Sequence, residues 1–173
     1  MNHQSLLDIP LVVAALRPAH PLIITRACCA RGKPLLSHMV RLYQYPLLEP
    51  RATVRNDLQK LAETARTSSV PVVLFPKGTR TRNGELGPWP EGGLRAILPV
   101  RRWMVHLLVS DGFWTSVRLT DFLSRVSAID GRIVAKGPFE GPPPGSDPEP
   151  FIAEIRGRMD AALAELRSGA FAR

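Results

Sequence analysis

Val70-Pro71-Val72-Val73-Leu74-Phe75-Pro76-Lys77-Gly78-Thr79-Arg80 is a short apolar run that breaks into a basic, glycine-containing turn, and its reading decides the fold. Residues 70–75 are too few for a helix. Rich in β-branched and aromatic side chains, they suit a strand covered on both faces. Pro76 ends the run, because proline cannot donate to a sheet ladder. Just upstream, Val54, Leu58, Leu61, Ala62 and Ala65 recur at helical spacing, with Arg55, Asp57, Lys60 and Glu63 mostly off that face. A helix leading into a buried strand is the repeating unit of an α/β sheet.

The same alternation continues outward. Residues 9–16 have helical character, and Pro10 must lie in the first turn, which puts the helix start near residues 6–8. Residues 21–25 read as a short buried strand, 35–42 as a helical piece and 45–48 as a strand. Residues 77–93, rich in glycine and proline, read as loop. Residues 103–109 and 132–136 are further strand candidates. Residues 137–150 hold six prolines and read as a turn region. Ile152, Ile155, Met159, Leu163 and Leu166 then line one face of a closing helix, weakened by about 1 kcal/mol at Gly157. The expected fold is α/β, a mostly parallel central sheet flanked by helices in a single domain over residues 1–173.

The chain of 173 residues is 45% hydrophobic and 22% charged, which excludes global disorder, and it has no apolar run long enough to span a membrane. Its net charge of +8 is unevenly placed: residues 1–50 carry +3, residues 51–102 carry +6 and residues 103–173 carry −1. Such a field suits phosphate-bearing substrates, acidic lipid headgroups or nucleic acid, although 19 Arg against 4 Lys also fits codon bias. Nucleic acid is the weakest of these, for no basic-aromatic or helix-turn-helix motif is present. Adjacent Cys28 and Cys29 match neither a metal-ligand nor a redox spacing, and a reducing compartment with inert thiols is expected. The first residues lack a signal peptide's basic and apolar regions.

Two segments carry candidate chemistry. Asn2-His3-Gln4-Ser5-Leu6-Leu7-Asp8 places a histidine five residues before an acid. Histidine is the natural general base near neutral pH, and a carboxylate on its second ring nitrogen fixes the tautomer and stabilises the imidazolium. On a regular helix the two would not share a face, so His3 must lie in the preceding turn and reach across to Asp8. Alone, the segment better fits a frayed histidine and a helix-capping Asp. In the second segment Gly78 permits close backbone approach to an anion, Arg80 offers a fork for phosphate, and Lys77 and Arg82 add charge. Alone, it equally fits a solvated loop.

Together, in this order, the segments resemble the glycerophospholipid acyltransferases, the 1-acyl-sn-glycerol-3-phosphate acyltransferase family. Its motifs Asn-His-x-x-x-x-Asp and Phe-Pro-Glu-Gly-Thr-Arg are matched at Asn2, His3 and Asp8, and at Phe75, Pro76, Gly78, Thr79 and Arg80. The resemblance implies a glycerol-3-phosphate acyltransferase-like fold. It implies His3 as the base for a lysophospholipid hydroxyl, Asp8 as its orienting acid, and Gly78, Thr79 and Arg80 as phosphate ligands. It also implies an acyl-CoA or acyl-carrier-protein co-substrate and direct transfer, with no cofactor or metal. An anionic membrane surface is the implied partner, and the implied location is cytoplasmic and peripheral on the membrane. Three positions depart from the pattern. Lys77 stands where the family has Glu, so Lys77 joins the expected phosphate site. Arg51, the nearest match to the family's intermediate arginine motif, is displaced by one place. One residue precedes Asn2, where the family has a strand and often membrane-binding helices. Those departures keep a shortened, non-catalytic protein that binds anionic lipid as the alternative. Trp89 and Trp103, beside Arg101 and Arg102, suit core packing or a membrane interface, with packing favoured. His20, His38 and His106 lack acidic partners and are expected to be structural or superficial.

Overall fold

The computed structural model describes residues 1–5, 7–26, 36–48, 54–76, 83–116 and 129–169. Helix α1 (Asp8–Ala15) carries Pro10 in its first turn, where a missing N–H costs no helical bond. An extended run follows as β1 (Leu22–Ile23) and β2 (Thr25–Arg26). β1 runs parallel to β4 (Val72–Val73), while β2 runs parallel to β3 (Leu47–Leu48). Between them the Ile24 amide donates to the Val73 carbonyl at 3.0 Å and the Thr25 amide donates to the Pro46 carbonyl at 2.9 Å. One extended run therefore exchanges one neighbour for the other at Ile24.

Helices α2 (Leu36–Leu42) and α3 (Val54–Thr67) complete the crossovers between these strands. As its spacing predicts, α3 buries Leu61 and Ala65, which pack with Ile24 and Ile97, and leaves Lys60, Glu63 and Arg66 exposed. Helix α4 (Gly92–Ile97) begins inside the stretch expected to be loop. A Cβ on Gly93 would lie 3.4 Å from the Leu74 side chain, an ordinary van der Waals contact, so this helix packs beside the residue that follows β4. Strands β5 (Met104–Asp111) and β6 (Arg132–Glu140) pair antiparallel, and helix α5 (Glu149–Ser168) covers them. Ile152, Ile155, Met159, Leu163 and Leu166 form one core with Leu107, Val109 and Trp89. Each fully buried side chain of this size contributes about 1.5–3 kcal/mol.

The element order is α/β, and among the described residues the strands do not join into the expected single, mostly parallel sheet. The described strands make three two-stranded pairs, two parallel and one antiparallel. Two physical reasons account for the difference. Most of β6 faces solvent while α5 covers the inner side of the pair, and one-sided covering is the habit of antiparallel strands. Between β4 and β5 there is also a cavity of about 680 Å³, bordered by Val72, Leu74, Leu94, Val105 and Leu108. Main-chain bonds from the first two residues bridge it at one end. The Met1 amino group donates to the Leu74 carbonyl at 3.1 Å, and the Asn2 amide donates to the Leu108 carbonyl at 3.3 Å.

That Met1 amino group is buried, and loss of hydration lowers its pKa from 8.0 to about 6, opposed in part by the charge of Asp8. Between these values the unfolded chain binds more protons than the folded one, so stability rises from about pH 6 to about pH 8 and is lost again as pH falls through that window. The expected difference is roughly 2–3 kcal/mol for the 173-residue chain with a free amino terminus. Urea midpoints measured near pH 5.5 and 8.5 check it, and acetylation of the terminus should flatten the dependence.

Candidate active site

Three donors converge on one buried carboxylate oxygen. Asp8 is the first residue of α1 and is fully shielded from solvent. Helical side chains lean toward the helix N-terminus, so its carboxylate faces back over the preceding turn. There Oδ2 accepts from His3 Nδ1 at 2.8 Å, from the Gln4 amide at 2.6 Å and from the Ser5 amide at 2.8 Å. The five-residue spacing works because His3 lies outside the helix.

The hydrogen bond settles the imidazole tautomer. A carboxylate oxygen only accepts, so Nδ1 carries the hydrogen and, in the neutral ring, Nε2 keeps a lone pair. The His3 side chain is 16% exposed, enough to present one edge of the ring. Its face packs on Phe75, with ring centroids 4.6 Å apart. Phe75 and the buried Pro76, the first two residues of the second motif, are thus carried to the imidazole by the run through β4. Lys77, Gly78, Thr79, Arg80 and Arg51 lie outside the described residues, as do Arg82, Cys28 and Cys29.

Several residues without an expected role hold the turn. Asn2 Nδ2 donates to the Ser110 carbonyl at 2.7 Å, and the Ser110 amide donates back to Asn2 Oδ1 at 2.8 Å. The buried Gln4 side chain donates through Nε2 to the Gly84 carbonyl at 3.3 Å and to Asp111 Oδ1 at 3.2 Å. Its Oε1 accepts from the Phe113 amide at 3.2 Å. From α5, Arg167 reaches Asp111 at 3.2 Å and Glu85 at 2.8 Å. Gly112 ends β5 with φ +85°, and a Cβ there would collide with the Asp130 carbonyl, so glycine fixes where the strand stops. Of these, the motif includes Asn2, while Gln4 and Ser5 fall on its variable positions. Nothing local announces Ser110 or Asp111, whose partners in the first motif, Asn2 and Gln4, lie more than a hundred residues away.

The other singled-out residues have quieter places. Trp89 belongs to the core beneath α5. Trp103 Nε1 donates to the Ile97 carbonyl at 2.9 Å, and the Arg101 guanidinium lies 4.1 Å above its ring. His20 stacks on Tyr43, and its Nε2 shares a hydrogen bond with the Tyr45 hydroxyl at 2.6 Å. Burial pushes that hydroxyl up to about 12, so it stays un-ionised. His38 and His106 are exposed. Among the described residues, no three His, Cys, Asp or Glu side chains gather as a metal site requires, and no helix is long and apolar enough to cross a membrane.

A buried carboxylate orienting a partly exposed imidazole, at the end of an apolar strand, is the arrangement of a general-base site. The model of the Acyltransferase family matches residues 1–107. The chain belongs to that family, which includes glycerophospholipid acyltransferases such as 1-acyl-sn-glycerol-3-phosphate acyltransferase. No curated protein and no solved structure matches the chain. Membership supports acyl transfer as the general activity.

Proposed function

We propose that this protein moves a fatty acyl group from an acyl thioester, acyl-CoA or acyl-carrier-protein, to the free hydroxyl of a lysophospholipid such as 1-acylglycerol-3-phosphate, giving phosphatidic acid. The observation that carries the reading is the 2.8 Å bond between His3 Nδ1 and Asp8 Oδ2, which leaves Nε2 as the proton acceptor. Nε2 removes the acceptor hydroxyl's proton as its oxygen attacks the thioester carbonyl. The tetrahedral adduct then expels the thiolate, which takes the proton from the imidazolium. One ester forms, one thioester breaks, and the base is restored without an acyl-enzyme. Asp8 stabilises the imidazolium that exists between the two transfers.

Lys77, Gly78, Thr79 and Arg80 are assigned to the acceptor's phosphate, with Arg51 as a further cation. The support is the placement of Phe75 against the imidazole, since the chain enters this segment from that point. The basic first 102 residues suit an anionic membrane surface, and we place the protein there, peripheral and cytoplasmic.

Purified protein incubated with labelled acyl-CoA and lysophosphatidate on vesicles should yield labelled phosphatidate, and the absence of product with either thioester donor would reject the reading. Arg80→Gln should raise KM for the phosphorylated acceptor about 10- to 100-fold, the value of a charge-assisted phosphate contact, and leave KM for the thioester unchanged. Lys77 in place of the family's Glu favours a second reading, an acyltransferase-fold protein that binds anionic lipid without turnover. Vesicle binding without transfer, unaltered by Lys77→Glu, is the result that selects it.

A further inference from the structure

Asp8 has a second carboxylate oxygen, and Oδ2 takes all three donors described above. Oδ1 is equally buried, and a charged oxygen in a dry site needs a donor. Among the described residues the donor within reach is the Ser110 hydroxyl, at 3.4 Å. That hydroxyl owns one proton and faces two acceptors, Asp8 Oδ1 and, at 3.0 Å, Asn2 Oδ1. Asn2 Oδ1 also accepts from the Ser110 amide at 2.8 Å, whereas the carboxylate is the stronger acceptor for the hydroxyl proton. A separation of 3.4 Å is long for such a bond, as hydrogen bonds in catalytic sites commonly are before substrate binds.

We infer that Ser110 is a positioning residue of the acyl-transfer site: its hydroxyl holds Asp8 Oδ1 and so keeps Oδ2 aimed at His3 Nδ1. The residue is itself well placed to act as a fixed point. It is fully buried, joined to Asn2 through both its amide and its carbonyl, and paired with Ile133 in the β5–β6 register. It also lies beyond residue 107, where the family match ends, so the likeness assigns it nothing. The kinetic consequence rests on the acyltransferase reading, whereas the structural consequence does not.

The test compares Ser110→Ala, Ser110→Cys and Ser110→Thr by two measurements. The first is the Nδ1-bound proton resonance of His3 in histidine-labelled protein, assigned by its loss in His3→Ala. The second is kcat and KM for acyl transfer. Ser110→Ala should displace or broaden the resonance and lower kcat about 10- to 100-fold, with both KM values within about twofold. Ser110→Thr, which keeps the hydroxyl, should restore both, and Ser110→Cys, a weak donor, should fall between. If Ser110→Ala does not fold, the Cys and Thr proteins carry the comparison. An unchanged resonance in the variant lacking the hydroxyl overturns the inference. So does a loss that Thr does not recover, or a change confined to KM. If the unaltered protein transfers no acyl group, the function proposed above falls, and the resonance alone decides the place of Ser110.

Discussion

His3→Ala protein is expected to lose at least about a thousandfold in kcat/KM for acyl transfer while remaining folded. General-base catalysis is commonly worth about 10²–10⁴, and the lone pair at Nε2 is the base offered by this site. The fold should survive because the turn does not depend on the imidazole. Asp8 Oδ2 keeps the Gln4 and Ser5 amides when the ring is removed, and Asn2 remains tied to Ser110. The local cost is the packing of one partly exposed ring on Phe75. The measurement is initial-rate label transfer at several substrate concentrations, together with a urea unfolding curve. Rates within tenfold of the unaltered protein would sink His3 as the base.

Asp8→Asn should do comparable damage to catalysis and more to stability. An amide keeps the shape and one accepting oxygen, so the turn can still form, but it no longer offers a charge to the imidazolium. A loss of about 10³–10⁴ in kcat is expected, as for neutralised acids in other His–Asp sites. Three bonds to a charged oxygen become bonds to a neutral one, which lowers stability by about 1–3 kcal/mol. Asp8→Ala is harsher for the fold, because it strands the buried amides of Gln4 and Ser5 without an acceptor. Comparing the two by urea denaturation separates the acid's electrostatic work from its capping work. Unchanged turnover in Asp8→Asn would show that the carboxylate serves the turn alone.

How much of this was legible in the sequence follows from the range of the interactions. The face of α3, the buried strand at residues 72–73 and the apolar stripe of α5 depend on neighbours within one turn or one strand, and the periodicity of the residues carries them. The His3–Asp8 contact was also readable, because Pro10 limits where α1 can start and so leaves His3 outside it. The antiparallel pairing of β5 and β6 was not. Alternation of strand and helix candidates reads the same whether the last pair is parallel or antiparallel, and the decision lies in how α5 covers one face. Helix α4 was hidden by Gly92 and Gly93, whose composition says loop. Ser110 was hidden for a simpler reason: a serine near the end of a strand has no pattern that names an asparagine and an aspartate at the other end of the chain.

The family likeness stops at residue 107, partway along the strand Met104–Asp111. A shortened protein cut at that border would keep both motif sequences but lose the serine, the following aspartate and the Arg167 contact that steady the first of them. Exchanging front halves among relatives without the matching hairpin and tail would likewise transplant the imidazole and leave behind the residues that brace its turn.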